Sequence, residues 1–134
     1  MKPILSIALA LTITSGAAAA ANPPLRELSE VDDGLYYVAV ANVVRKRCDS
    51  IDARMLRALG KIRELRKIAQ NAGYSETEIN AFVDSDTEKA RMIARAEKMF
   101  VARGIDPDVP EDLCRFGREE IARNSAVGVL LKAK

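Results

Sequence analysis

Histidine and tryptophan are absent from this 134-residue chain. Without an imidazole, the Ser-His and Cys-His arrangements that activate a nucleophile are excluded, as are the commonest zinc and copper ligand sets. Most hydrolase readings fall with them. A glycine-rich phosphate loop and a nucleotide fingerprint are also missing. The stretch Asp84-Ser85-Asp86-Thr87-Glu88 begins like a calcium loop, but such a loop needs glycine at its sixth position and glutamate at its twelfth. Lys89 and Arg95 stand there instead, so the stretch reads as a helix start. Glu119 and Glu120 are adjacent and point about 100 degrees apart on a helix, which rules out an acid/base pair made by those two alone. No enzymatic activity, catalytic residue, cofactor or metal is expected. The few aromatics are Tyr36, Tyr37, Tyr74, Phe82, Phe100 and Phe116, and they read mostly as core, with an exposed ligand cage as the alternative.

Long apolar runs are scarce too. The longest sits at the start, where Lys2 precedes ten residues from Ile4 to Ile13, followed by small residues ending at Ala19-Ala20-Ala21. That order is the pattern of a secretory signal peptide. It falls short of the roughly 20 apolar residues that cross a bilayer, so no transmembrane segment is expected. Residues 1 to 21 are read as signal, cleaved near Ala21, with residues 22 to 134 forming one domain in a periplasmic or secreted protein. Lys2 leaves with the signal, and the remaining 20 basic residues face 19 acidic ones. So even a balance provides no long-range field for nucleic acid or an anionic membrane.

Only two cysteines are present, Cys48 and Cys114. Disulfides persist in an oxidising compartment, and only one intramolecular pairing exists. Free reactive thiols are the competing reading, but the cysteines form no CxxC motif and no histidine can activate either one.

What remains is helical pattern and punctuation. Asn22-Pro23-Pro24 reads as the start of a loose leader running to residue 28, because proline disfavours helix in the residue before it. Ser29 is a capping hydroxyl ahead of Asp32. Leu35 to Val44 then suits a buried strand by composition or a helix by spacing, with Tyr37, Val40, Ala41, Val44 and Cys48 on one side. Helix is preferred, since no other segment offers a strand to pair with. From Ser50 the apolar stripe Ile51, Met55, Leu59, Ile62, Leu65 and Ala69 predicts a long helix ended by Gly73. Ser75-Glu76-Thr77-Glu78 is a capping box opening a short helix with Ile79, Phe82 and Val83, and Ser85-Asp86-Thr87-Glu88 opens a longer one to Arg103. That helix is expected to present Ala90, Ile93, Ala94, Glu97 and Val101 along one side, with Met92, Met99 and Phe100 near it. Pro110 fits the first position of a further helix carrying Leu113, Cys114, Gly117 and Ile121. Residues 126 to 131 are either a short closing helix or an extended strap. The expectation is an all-α bundle of about five helices with one Cys48–Cys114 disulfide.

Charge alternates in blocks: −3 over residues 22 to 44, +6 over 45 to 67, −5 over 68 to 88, +4 over 89 to 103, −4 over 104 to 120 and +3 over 121 to 134. Neighbouring helices therefore have opposite charge available to one another. Asp49 and Asp52 at the start of the long helix, with basic residues near its end, would also suit the helix dipole. Solvated faces and weak surface pairs account for most of this charge. A sharper reading singles out Arg47, Arg54, Arg57 and Lys61, which at helical spacing could form a ladder gripping carboxylates or phosphates.

Several stretches carry a resemblance: CDSIDARMLRAL, GYSETEINAFV, SDTEKARMIARAE, RGIDP and LCRFGREEIARNSAVGVLL. Together with the leading segment they resemble a family of small exported alphaproteobacterial proteins that carries a domain-of-unknown-function label, number 5333. The resemblance spans about Leu25 to Leu131 and implies a periplasmic, paired-cysteine helical domain without assigning an activity. By architecture alone, small disulfide-stapled periplasmic helical proteins, acid-protective chaperones among them, are a weaker analogy. The functional expectation is a non-enzymatic protein that binds a partner in the periplasm or plays a structural role. A conditional chaperone or a carrier of small anionic ligands is the alternative.

Overall fold

A computed structural model describes residues 21 to 134. The signal-peptide reading of residues 1 to 21 lies, apart from Ala21, outside the described residues. Five α-helices make up most of the described chain: α1 Ser29–Arg47, α2 Met55–Asn71, α3 Glu76–Val83, α4 Asp86–Ala102 and α5 Pro110–Arg123. Two three-residue strands, β1 Ile51–Ala53 and β2 Leu131–Ala133, pair antiparallel with Ile51 opposite Ala133 and Ala53 opposite Leu131.

Helix α1 is the post around which the rest packs, which explains its composition. A helix covered on several sides needs apolar residues on several sides. Val31, Gly34, Val40, Ala41, Val43 and Val44 are all buried, so the Leu35 to Val44 run is helical, as its spacing predicts. Gly34 permits a close approach of α2: a Cβ there would meet Leu65 Cδ1 at 2.8 Å. On the other side, Phe100 of α4 and Phe116 of α5 meet edge to face at 5.1 Å between ring centroids, in a core that also holds Leu113, Leu130 and Leu131. A smaller core gathers Leu25, Val31, Ala69, Tyr74 and Ile79. The Cys48–Cys114 disulfide ties the end of α1 to α5, as expected from the sequence.

Local punctuation also follows the sequence, except that Ser29 is the first residue of α1 and not its cap: Leu28 holds that position and no side chain caps the helix. Ser75 and Glu78 form the full capping box: Glu78 N donates to Ser75 Oγ at 3.1 Å, and Ser75 N donates to Glu78 Oε2 at 2.7 Å. Those bonds hold the Glu78 carboxyl below the usual carboxylate range. Ser85 caps α4 by accepting from Glu88 N at 3.2 Å. There the box stays half made, because the Glu88 carboxylate is engaged by arginines instead. Pro110 opens α5. Gly73 and Gly104, at φ of 94° and 70°, occupy the left-handed region past the ends of α2 and α4.

Other expectations are corrected or settled. The helix predicted from Ser50 begins at Met55, because Ile51 to Ala53 is drawn into the strand pair with the C-terminal segment. Asp49 and Asp52 therefore precede α2, whose first turn has no acidic residue. Residues 126 to 131 resolve as a 3-10 turn, Gly128–Leu130, leading into β2. Helix α4 is rotated from the expected face. It buries Met92, Ala96 and Phe100, whereas Val101 is 65% exposed and Ile93 36%. Finally, the leader is anchored: Leu25 is buried, Tyr74 Oη donates to Pro23 O at 2.9 Å and Asn22 Nδ2 donates to Gly73 O at 2.9 Å.

Candidate functional site

The four basic residues of the postulated ladder are not aligned on one helix. Arg47 ends α1, where it donates to Glu97 at 2.9 Å and to the Pro107 carbonyl at 3.0 Å. Arg54 precedes α2, and its Nε donates to the Leu131 carbonyl at 3.0 Å while its backbone N–H donates to Leu130 O at 2.8 Å. These two arginines fasten the α4–α5 connection and the C-terminal strand. Arg57 and Lys61 do lie together on α2, beside a cleft shared with Glu30, Asp33 and Tyr37 of α1 and with Val129. Lys61 pairs with Glu64 at 3.1 Å. The cleft thus holds charge of both signs.

The other side of α2 is different in character. Helices α2 and α4 both pack on α1 and leave between them a groove of about 380 Å³. Its floor is the α1 stripe Leu35, Val38, Ala39 and Asn42; Ile62 of α2 forms one wall, and Met92 and Ile93 of α4 the other. Phe82 and Val83 of α3 close one end. A volume of that size is within the range of binding sites, which are usually apolar with a few placed polar groups. On α2, Met55 and Leu59 precede Ile62 by seven and three residues and so continue the same stripe. They are 57% and 48% exposed, and the neighbouring Leu56 is 86% exposed. Beside the apolar groove, α2 thus exposes further large apolar side chains, the kind of surface that marks an interaction site. Of the stripe residues Met55, Leu59, Ile62 and Leu65, only Leu65 is fully buried.

Polar groups around this groove are sorted by charge. Glu88 lines it, yet its carboxylate already receives Arg26 and, at 2.7 Å, Arg91 Nε. Burial pushes the Glu88 carboxyl up, but the bonds from Arg91 and Arg26 outweigh it and hold the carboxyl below its ordinary range. Arg91 also binds the buried Asp32, which with Glu88 raises its own pKa above the usual value. Arg95 completes the network by donating to Asp32 at 3.2 Å and Asp33 at 2.7 Å, and its guanidinium stacks 4.0 Å from the Tyr36 ring centre. Burial raises the Tyr36 phenol above its ordinary value against the opposing charge of Arg95. Lys46 and Lys89 stand at the groove as exposed cations. Among the described residues no cluster of side chains suited to a metal ion occurs, and no helix is long and apolar enough to cross a membrane.

The fold and its groove define a small, disulfide-stapled all-α protein with an open apolar seam. Residues 23–132 match the model of a family described as "Family of unknown function (DUF5333)", and the chain belongs to that family. No curated protein and no solved structure matches it.

Proposed function

We propose that this protein acts without catalysis, as an exported protein that binds another protein through the groove between α2 and α4. The observation that carries the reading is the apolar groove together with the exposed Met55, Leu56 and Leu59 on the helix that borders it. Leaving such side chains in water forfeits about 1.5–3 kcal/mol for each one that could be fully buried, a loss that a partner's apolar segment recovers. Export is supported by Lys2, the apolar run that follows it, and a disulfide suited to an oxidising compartment.

The test places a photo-crosslinking residue at Leu59, at Ile93 or, as a control on α5, at Ala122, in cells that make the protein naturally. Discrete protein adducts from the two groove positions, absent from Ala122, are expected. Adducts equal at all three positions, or none, would refute the groove. Fractionation with intact-mass measurement is expected to find an extracytoplasmic chain starting near Asn22; an uncleaved cytoplasmic chain would refute export.

A second reading, an acid-conditional chaperone, draws support from three buried carboxylates. Asp32, Glu88 and Glu120 are each held by arginine, and Glu88, whose carboxyl Arg91 and Arg26 hold below its ordinary range, would give up that stabilisation at low pH, loosening the bundle and exposing apolar surface. Reversible loss of tertiary packing at about pH 2 to 4, with suppression of a client's aggregation, would favour it over the first. The mixed-charge cleft at Arg57 and Lys61 is the corresponding place for a small anionic ligand, and calorimetry with inorganic phosphate tests it.

A further inference from the structure

The groove reading can be taken one step further, to the chemistry of the partner. Of the groups lining the groove, Glu88 is the one carboxylate, and Arg26 and Arg91 already neutralise it. Lys46 has no carboxylate within 4 Å among the described residues, and Lys89 has only the fully exposed Asp86 at 3.9 Å. The field at the groove mouth is therefore positive. Helix α2 is basic as a whole, with Arg57, Lys61, Arg63, Arg66 and Lys67 against the single acid Glu64, although Arg57 and Lys61 face the mixed-charge cleft rather than the groove.

That charge discriminates among occupants. A second copy docking α2 against α2 would set like charge against like, which suppresses association. A flat bilayer surface cannot enter a recess walled by two helices. A single acyl chain could fill the recess but would leave Leu56, 86% exposed on the outer shoulder, in water. An amphipathic helix laid along the seam would place apolar anchors at i, i+3, i+4 and i+7 into the groove at Ile62, Met92 and Ile93 while its flank covers exposed Leu59. Met92 in the groove wall and the exposed Met55 on α2 are side chains that repack around different partners, so amphipathicity and charge matter more here than one fixed sequence.

We infer that the natural occupant of the groove is an acidic amphipathic helix of a protein partner, its apolar face between α2 and α4 and its carboxylates toward Lys46 and Lys89. The inference rests on the groove being the docking site. Two labelled helical peptides of about 18 residues, five turns, test it by fluorescence anisotropy against the purified oxidised protein. They share a leucine face and differ only in having glutamate or lysine at the polar positions. The acidic peptide is expected to bind at least about tenfold more tightly, with the difference shrinking as salt rises. K46E/K89E is expected to invert the preference, and L59E/I93E to abolish binding of both peptides while the far-ultraviolet circular dichroism stays unchanged. Equal affinity for the two peptides would overturn the acidic assignment and leave the groove standing. Failure of both peptides at about 1 mM would overturn both. A dimer in sedimentation that L56E dissolves would assign the face to a second copy instead. Anionic phospholipid vesicles that bind through Lys46 and Lys89 where the acidic peptide does not would assign it to lipid.

Discussion

Replacing Gly128 by alanine probes the seat of the C-terminal strap on α5. An added Cβ would land on the Glu120 carbonyl and 2.8 Å from the Ile121 nitrogen, closer than real Cβ atoms come to either. Both neighbours are helix backbone, so no side-chain rotation relieves the clash and the strap itself must move. Moving it strains a short-range web: Ser125 N donates to Glu120 O at 3.2 Å, Gly128 N to Ser125 Oγ at 2.9 Å and Val129 N to Ser125 O at 2.9 Å. Overpacking alone costs about 1–3 kcal/mol. Full detachment would expose Val127, Leu130 and Leu131, which are 6%, 4% and 0% exposed, at about 1.5–3 kcal/mol each. The expected loss lies between these limits, at about 3 kcal/mol or more, which lowers Tm by roughly 10 to 20 °C in a domain of this size. Urea unfolding followed by circular dichroism, with an unchanged m-value, measures it. G60A is the counterpart: a Cβ there meets nothing within 4 Å, so the same chemical change in α2 should stabilise by about 1 kcal/mol through helix propensity. A G128A loss below about 0.5 kcal/mol, the level of an ordinary surface substitution, would refute the seating of the strap.

Three further outcomes follow from the same structure. The disulfide spans a sequence separation of 66, so C48A/C114A should lose about 4 kcal/mol on the loop-entropy model, and intact-mass measurement on the native protein should find no free thiol. Glu88 has a depressed pKa in the folded chain, so its contribution is present above the unfolded value of about 4.3 and is lost as pH falls through the folded value. E88Q should therefore flatten the acid side of the stability–pH curve in urea titrations, and an unchanged slope would remove Glu88 from the acid response. Loss of the Ser75 hydroxyl in S75A should cost about 1 kcal/mol, measured as a shift in the urea midpoint.

How far the sequence revealed this protein depended on whether the determining contacts were local. The Ser75 box, the Ser85 cap, Pro110 at the start of α5 and the glycines past α2 and α4 act within a few residues of chain, and all were legible. The disulfide was legible by elimination, since two cysteines allow one partner each. The strand pair was not. Three residues at Ile51 to Ala53 are too few to show a period, and their partner lies some eighty residues later at Leu131 to Ala133. The faces of the helices were the other difficulty. On α4 the sequence offered two stripes, and only packing against α1 selects Met92, Ala96 and Phe100. On α2 the long stripe was real, yet half of it is left uncovered, and periodicity cannot tell a stripe that packs inside from one that waits for a partner. The same break in chain direction at β1 separates Arg47 and Arg54 from Arg57 and Lys61, which dissolves the ladder that helical spacing suggested.

The most direct test of the groove as the binding surface is a methyl NMR titration of the oxidised protein with the acidic amphipathic peptide. The account predicts that the shifts concentrate on the Ile62 and Ile93 δ1 and the Met55 and Met92 ε methyls, with Val129 beside the mixed-charge cleft unmoved. Shifts gathered at Val129 instead, or scattered over the surface without saturation, would contradict it.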